Sequence, residues 1–366
     1  MDKNRTLRFL LYYLPKENFL SIIKLKMILV LNCGSQSVKW KIFKRNLKPV
    51  LSGKREYFEK EKAKKILEEE LKKIKNYHSE INFVAHRVVH GGKYFQPTII
   101  NNQVIREIEK FSEVAPLHNP FEILGIKVSQ KIFQKAKQIA VFDTEFFKNL
   151  PEVSKIYPLP KKIKEKYLLR KFGFHGLSHK YLTYKASEIL KKPLKKINLI
   201  TLHLGGGASI TAIKNGQPIE TSMGFTPLAG LLMTTRSGDI DPGLILFLVK
   251  KIGLEKTEKI LNFESGLKAI SGYADFRKIL VSQKEKSKLA LEVFVWQIKK
   301  YLGAYYEILN GKVDGIVFSG AIGAGLPKTR KLILKDLSFL KKTKILVIKT
   351  DEAYQIAKEI KENFDI

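Results

Sequence analysis

The sequence predicts an α/β protein with two duplicated domains, on three observations. Its 366 residues exceed what one compact core usually fills, so two domains of ordinary size are expected. Segments with strand periodicity alternate with amphipathic helices along the chain, which is typical of α/β folds. Two glycine-bearing strand–turn–strand segments, one in each half, indicate that the domains are duplicated.

The chain is strongly basic, with 67 Lys and Arg against 35 Asp and Glu and a formal net charge of +32. Such a charge suits nucleic acid, an anionic membrane surface or small anionic substrates. The lysines occur as scattered pairs, for example Lys64-Lys65 and Lys195-Lys196, and no nucleic-acid recognition motif accompanies them. We therefore expect a lysine-rich surface and no nucleic-acid partner.

Other classes are limited by hydropathy and cysteine content. No apolar run approaches the ~20 residues of a membrane span, so no membrane partner is expected. The single cysteine, Cys33, excludes an intrachain disulfide and a cysteine-cluster metal site, and it favours a cytoplasmic location.

Folded structure is predicted to begin near Met27, which makes residues 1–26 an extension outside the folded core. The apolar run at residues 8–14 is short and lacks a small-residue cleavage site, so it does not predict export. Met27 stands directly before the apolar run 28–31, which is typical of a first strand.

The first strand–turn–strand segment follows at once. Turn residues occupy 32–35, and Val38, Trp40 and Ile42 then alternate with lysines at period two. An amphipathic helix is predicted over 60–76, and strands are predicted at 81–85 and 139–142.

The second such segment is predicted at 197–213, with a triple-glycine turn and a closing Asn215-Gly216 hairpin signal. A long, largely buried helix should cover 287–309 and end at Asn310-Gly311. A strand at 314–318, a glycine-rich loop at 319–325 and a terminal helix at 352–363 complete the chain.

Several polar residues have spacings that suit chemistry. The turn of the first segment could direct backbone N–H groups, hydroxyls and one ammonium at a phosphate, although an ordinary hairpin turn explains it equally well. It lacks the spacing of a P-loop. Its polar residues are Asn32, Ser35, Ser37 and Lys39.

Two further candidates stand at strand ends. Arg87 could bind a carboxylate or phosphate bidentately, whereas the flanking His86 and His90 are interpreted as structural rather than metal-binding. Asp143 is either a metal ligand or a turn cap.

A histidine and a second arginine lie in glycine-containing loops. His175 stands between two glycines that would let a substrate approach, although a lone histidine is more often structural. Arg236 lies in a polar turn that is either an anion site or a surface loop.

Taken together and in this order, the motifs closely resemble the acetate kinase (acetokinase) family of the acetate and sugar kinase, Hsp70 and actin superfamily. The resemblance runs from Met27 nearly to the C-terminus and includes residues 115–120, 221–228 and 264–267. It implies two duplicated actin-like ATPase (ribonuclease H-like) domains flanking a nucleotide cleft. We expect these domains to cover 27–157, joined by the terminal helix 350–366, and 158–349, usually in a homodimer.

The resemblance also implies a reaction and its residues. ATP would transfer its terminal phosphoryl group in line to acetate, reversibly, giving acetyl phosphate and ADP with Mg²⁺ or Mn²⁺. The catalytic candidates are Asp143, His175, Arg87 and Arg236. The nucleotide-facing candidates are Asn32, Ser35, Ser37, Lys39, His203, Gly205, Gly206, Gly207, Gly320, Ile322 and Gly323. Arg87 would bind the substrate carboxylate, and the acyl pocket would comprise Val89, Leu117, Phe174 and Pro227.

One departure affects the metal. The family's glycine-rich loop usually carries a glutamate, interpreted here as a metal-site carboxylate, where this chain has Ala324. If the strand before Asp143 continues, Glu145 points to the same side and restores a second carboxylate. The alternative interpretation of Glu145 is a solvated glutamate at a strand end. The metal ligands predicted with the resemblance are Asn32, Asp143 and, on this hypothesis, Glu145.

Three alternatives remain open at this point. They are a kinase that prefers propionate, a kinase that uses another phosphoryl donor, and a non-catalytic nucleotide-binding homologue that has lost its metal carboxylate.

Overall fold

The computed structural model describes residues 26–57, 62–337 and 343–364. Of the predicted extension, all residues before Lys26 lie outside these ranges. The described chain forms two mixed β-sheets with helices packed against them. None of the helices in these ranges has the length and apolar character needed to cross a membrane.

The first sheet has six strands in the spatial order β3-β2-β1-β4-β6-β5. Strands β1, β2 and β3 form an antiparallel meander, and β4 and β6 run parallel to β1. In chain order they are β1 (Met27–Cys33), β2 (Ser37–Lys44), β3 (Pro49–Glu56), β4 (Ile81–Val88), β5 (Thr98–Ile99) and β6 (Lys137–Phe142).

The second sheet has five strands in the order β11-β10-β7-β8-β9. It repeats the connectivity of the first, with an antiparallel meander followed by two strands parallel to its first strand. The duplication predicted from the two glycine-bearing segments is therefore correct. The strands are β7 (Leu199–Leu204), β8 (Ala208–Lys214), β9 (Gln217–Thr221), β10 (Gly315–Ser319) and β11 (Lys344–Val347).

Helices connect and cover the sheets. In chain order they are α1 (Ala63–Lys72), α2 (Asn102–Lys110), α3 (Asn119–Ile132), α4 (Glu152–Lys155), α5 (Lys161–Tyr167), α6 (Gly176–Ile189), α7 (Pro242–Ile252), α8 (Leu254–Lys259), α9 (Gly266–Ser271), α10 (Phe276–Val281), α11 (Glu285–Ile308), α12 (Gly320–Gly323), α13 (Pro327–Leu334) and α14 (Glu352–Asn363). Short 3₁₀ turns lie at Lys75–Tyr77, Glu145–Phe147 and Leu194–Lys196, and a π-helical turn lies at Ile260–Glu264.

The long helix α11 differs from its prediction in burial. Ala290, Phe294 and Ile298 recur every four residues and are buried against the second sheet. Its other face is open, with Leu289 53% and Trp296 70% exposed, so the helix is amphipathic rather than largely buried. It ends, as predicted, before Asn310 and Gly311, which both adopt positive φ.

The terminal helix α14 returns to the first sheet. Its residues Ile356, Ala357 and Ile360 are fully buried in a cluster with Ile28 and Val30 of β1. Helix α6 packs on β7, on the 145–147 turn and on α14, so it stands between the two halves. The domain limits 27–157 and 158–349 stay a prediction.

Candidate functional site

A cleft of about 590 Å³ lies where the ends of strands from both sheets meet. The first sheet contributes the β1–β2 turn and the ends of β4 and β6, and the second contributes the β7–β8 turn and the end of β10. Of the predicted site residues, the cleft is lined by Asn32, Ser35, Ser37, Lys39, Arg87, Val89, Asp143, Phe174, His175, His203, Gly205, Gly207, Pro227, Arg236 and Gly320.

Residues of both hairpin turns line this cleft, and each turn is closed by a backbone hydrogen bond. The N–H of Gly34 donates to the carbonyl of Ser37 at 3.0 Å, and the N–H of Gly205 donates to the carbonyl of Gly207 at 2.9 Å. A Cβ atom on Gly207 would stand 3.3 Å from the imidazole of His175, so glycine permits this close approach. The predicted residue Gly206 is exposed and does not line the cleft.

Arg87 and Asp143 form a two-pronged ion pair across neighbouring parallel strands. Arg87 lies on β4 and Asp143 directly follows β6, with Nε–Oδ1 at 3.2 Å and Nη2–Oδ2 at 2.5 Å. Burial is the main cause that raises the pKa of the Asp143 carboxyl, and the Arg87 charge opposes it. The pKa of Arg87 is raised despite its burial, because carboxylates surround it.

A second carboxylate, which the sequence did not reveal, stands beside this pair. Glu352 in the first turn of α14 lines the cleft, with Oε2 3.6 Å from Nε of Arg87. Burial alone would raise its pKa, but Arg87, His203 and Lys39 bring the pKa below its usual value. An acid in a first helical turn is ordinary, so its sequence carried no signal of a site.

The prediction that Glu145 joins Asp143 is wrong. Strand β6 ends at Phe142, and the backbone then turns into the 3₁₀ segment Glu145–Phe147, so strand alternation does not extend to Glu145. Its carboxylate pairs with Lys180 at 3.1 Å, and Lys180 also pairs with Glu359 at 2.6 Å. Glu145 lines a separate cavity of about 200 Å³.

The glycine-rich loop contributes less to the cleft than predicted. Gly320 lines it and adopts a positive φ of 79°, and a Cβ there would stand 2.3 Å from the carbonyl oxygen of Leu204. Ile322 is buried in the core and Gly323 packs on Leu204, so neither lines the cleft. Ala324 does not line it either.

Arg236 approaches the cleft from the second half of the chain. Its Nη1 has two weak partners, the carbonyl of Pro227 at 3.4 Å and the sulfur of Met233 at 3.7 Å. Burial lowers the pKa of its guanidinium. Among the residues that the structure describes, no carboxylate forms an ion pair with Arg236, so its charge is available to an anionic ligand.

His175 is held in an unusual backbone conformation at the start of α6. Its φ of 57° and ψ of 25° lie in the left-handed region, a strain that concentrates at functional sites. Its ring stacks on that of His203 with centroids 4.3 Å apart. Burial, then His203 and the nearby arginines, lower the pKa of His175 well below its usual value, so the ring is neutral at neutral pH.

His118 is a further cleft residue to which the sequence assigned no role. It precedes α3 and lies in the 115–120 motif, which was a signal without a chemical interpretation. Burial is the main cause that lowers its pKa well below the usual value, and the charges of Arg236 and Arg87 add to this.

The predicted acyl pocket is divided between two cavities. Val89, Phe174 and Pro227 line the cleft. Leu117 instead lines a neighbouring cavity of about 780 Å³, which shares His118, Pro227 and Arg236 with the cleft. The placement of Leu117 in the same pocket as Val89, Phe174 and Pro227 is therefore wrong, because it does not line the cleft.

Comparisons with known proteins agree with this arrangement. A profile of the acetokinase family matches residues 54–362. The chain is similar to the acetate kinase of Carboxydothermus hydrogenoformans, with 42% identity over 91% of this chain and 98% of that protein.

Two solved structures are similar over the same extent, 91% of this chain and 98% of theirs. They are an acetate kinase from Porphyromonas gingivalis, with 34% identity and a TM-score of 0.80, and a propionate kinase from Francisella tularensis subsp. tularensis, with 35% identity and a TM-score of 0.85. The predicted fold class, α/β with duplicated actin-like domains, is confirmed by these structures.

Proposed function

The chain belongs to the acetokinase family, and on that premise we propose that it transfers the terminal phosphoryl group of ATP to acetate, giving acetyl phosphate and ADP. The observation that carries this proposal is the pair of guanidinium groups, Arg87 and Arg236, from the two halves of the chain in one cleft. Acetate bound in this cleft would pair its carboxylate with the two guanidinium groups. Its methyl group would contact the apolar side chains of Val89, Phe174 and Pro227.

The transfer itself needs mainly positioning and charge neutralisation. A carboxylate oxygen of acetate attacks the terminal phosphorus in line, the new O–P bond forms, and the bond to the β-phosphate oxygen breaks with ADP leaving. Arg236 and Arg87 stabilise the charge on the equatorial oxygens. A neutral His175 donates a hydrogen bond to one of them without adding the repulsion of a third cation to the arginines.

Two carboxylates and an amide in the cleft suit Mg²⁺, the metal expected for this reaction. Asp143, Glu352 and Asn32 supply oxygen donors. The two carboxylates near Arg87 carry two negative charges against its one positive charge, so a further cation is electrostatically favourable there. No group of three or more His, Cys, Asp or Glu side chains in the described ranges could hold a metal by itself. Mg²⁺ ordinarily takes one or two protein carboxylates and completes its shell with water and phosphate oxygens. When bound, it would neutralise charge on the transferring phosphates.

The alternatives are not favoured. A non-catalytic homologue was considered because position 324 lacks a glutamate, but Glu352 provides a second carboxylate beside Asp143. Both arginines and His175 also line the cleft. The similarity to an acetate kinase over 91% of the chain supports acetate and ATP as the substrates.

We also propose a homodimer, formed through α7. This helix contains seven apolar side chains in eleven residues, yet none of its residues is buried. Leu246 is 63% and Phe247 54% exposed. Such an apolar face on a helix normally packs against protein, and a second copy would cover it.

The cytoplasm is the proposed location, because the one cysteine, Cys33, is a buried free thiol.

The test is acyl phosphate formation, trapped as hydroxamate, with acetate, propionate or butyrate and with ATP, GTP or pyrophosphate. We expect turnover with acetate and ATP. Arg236→Ala should abolish it, and Arg277→Ala, which removes an exposed arginine paired with Asp275, should not. Absence of acetyl phosphate from folded wild-type protein would overturn the proposal.

A further inference from the structure

A chain of hydrogen bonds runs from the core of the second half to His175. Nδ1 of His175 lies 2.8 Å from Oγ of Ser209, and the same Oγ lies 2.8 Å from Nε2 of His179. Nδ1 of His179 lies 2.7 Å from Oγ1 of Thr201. Ser209, His179 and Thr201 are fully buried, so no solvent competes for these bonds.

The fold explains why these four residues meet. His175 and His179 are four residues apart at the start of α6 and share one face of that helix. Thr201 lies on β7, and Ser209 lies opposite His203 on the adjacent strand β8. The first turn of α6 therefore rests on the middle of the second sheet, with polar partners aligned between them.

Counting protons gives this series of hydrogen bonds a direction. A neutral imidazole carries one N–H, so a His175 that donates from Nε2 into the cleft must accept at Nδ1. The hydroxyl proton of Ser209 then points to His175, and Ser209 must accept from Nε2–H of His179. His179 in turn accepts at Nδ1 from the hydroxyl of Thr201.

The reverse direction would be unfavourable in this cleft. His175 would then present an unprotonated Nε2, an acceptor, to the phosphoryl oxygens, which are acceptors themselves. Nδ1 of His175 contacts the buried Ser209, whereas Nε2 lies 3.3 Å from where a Cβ on the cleft residue Gly207 would stand, so Nε2 is the ring nitrogen nearer the cleft.

We propose that Ser209 and His179 are positioning residues that fix His175 as the tautomer protonated on Nε2, so that it donates a hydrogen bond to the transferring phosphoryl group. The proposal rests on the phosphoryl transfer proposed above. Neither residue lines the cleft, so both act through His175 rather than on the substrate.

The tautomer can be observed directly by long-range ¹H–¹⁵N correlation spectra of the full-length protein labelled with ¹⁵N-histidine. The chain has 7 histidines, and loss of one set of signals in His175→Gln assigns those of His175. We expect His175 and His179 both to carry their proton on Nε2. A wild-type His175 protonated on Nδ1 would overturn the proposal.

Ser209→Ala removes the donor to Nδ1 of His175. The Nδ1-protonated tautomer of His175 should then appear, and kcat should fall by at least about tenfold with smaller changes in the KM of acetate and ATP. Ser209→Thr keeps the hydroxyl and should retain the wild-type tautomer. An unchanged tautomer of His175 and an unchanged kcat in Ser209→Ala would refute the positioning role of Ser209 and His179.

Thr211→Val is the matched control. Thr211 is also fully buried on β8 and bonds the hydroxyl of Thr221 at 2.9 Å, outside the chain that reaches His175. This variant should leave the spectrum of His175 and kcat unchanged. The spectra need no substrate. If His175 is protonated on Nε2 in a protein that makes no acetyl phosphate, the proposed function is rejected and the positioning role of Ser209 and His179 is not.

Discussion

The backbone N–H of Gly176 donates to the backbone carbonyl of Asp143 at 3.0 Å. This bond joins the first residue of α6, directly after His175, to the end of β6. A Cβ on Gly176 would stand 2.0 Å from the same carbonyl oxygen. The positions of His175 and Asp143 are therefore set by one contact that only glycine permits.

Gly176→Ala should reduce kcat by about a hundredfold, because the two backbones must separate and an error of about 1 Å in a reacting group has a cost of that order. Acetyl phosphate assays together with thermal unfolding would test this. Gly303→Ala is the control: a Cβ there meets nothing within 4 Å, and it lies inside α11. That change should stabilise the protein by about 0.5–1 kcal/mol without affecting kcat. Full activity of a folded Gly176→Ala would contradict the assignment.

Glu352→Gln should raise the Mg²⁺ concentration for half-maximal activity by about tenfold or more, because it removes one of two carboxylates beside Arg87. Glu145→Gln is the matched comparison. It should leave the Mg²⁺ titration unchanged, because Glu145 pairs with Lys180 and lines a separate cavity. A shifted Mg²⁺ titration in Glu145→Gln alone would reverse this interpretation.

Glu122 on α3 should make stability depend on pH. Its Oε2 accepts from the N–H of Val89 at 3.0 Å, whereas Oε1 is buried without a hydrogen-bond partner among the described residues. Burial raises its pKa from 4.5 to about 8. Between these pH values the folded protein keeps a proton that the unfolded chain has released, so the free energy of unfolding falls as pH rises.

Glu122→Gln should remove this dependence, whose limiting slope is about 1.4 kcal/mol per pH unit. Urea unfolding at several pH values from 4.5 to 8 would measure it. The exposed Glu285, 88% exposed in its side chain, provides the control Glu285→Gln, which should follow the wild type. Parallel wild-type and Glu122→Gln curves would contradict this, because they would show that folding does not change the pKa of Glu122.

Leu246→Glu should dissociate the homodimer, because it places a charge in the apolar face of α7. Light scattering after gel filtration would report the mass of each species. Val153→Glu alters another highly exposed apolar residue, 88% exposed on α4, and should leave the dimer intact. A dimeric Leu246→Glu would move the proposed interface away from α7.

Local patterns predicted most of the fold and part of the site. The hairpins, α14 and the ends of β4 and β6 follow from periodicity and turn residues, so Arg87 and Asp143 were found at strand ends. Glu352 was missed because it reaches the cleft only through the packing of α14 on the first sheet, and no local pattern encodes that contact. Glu145 was misplaced because the strand ends before it.

Because α14 follows every strand of both sheets in the sequence, the first sheet gains its cover and the cleft gains Glu352 late in synthesis. The ribosome makes Glu352 after all strands of both sheets, so a nascent chain can hold both arginines and His175 before it has its second cleft carboxylate. Until α14 emerges, Ile28 and Val30 of β1 also lack the cover of Ile356 and Ile360. An unfinished chain therefore has an uncovered apolar sheet and an incomplete site, and the same folding event corrects both.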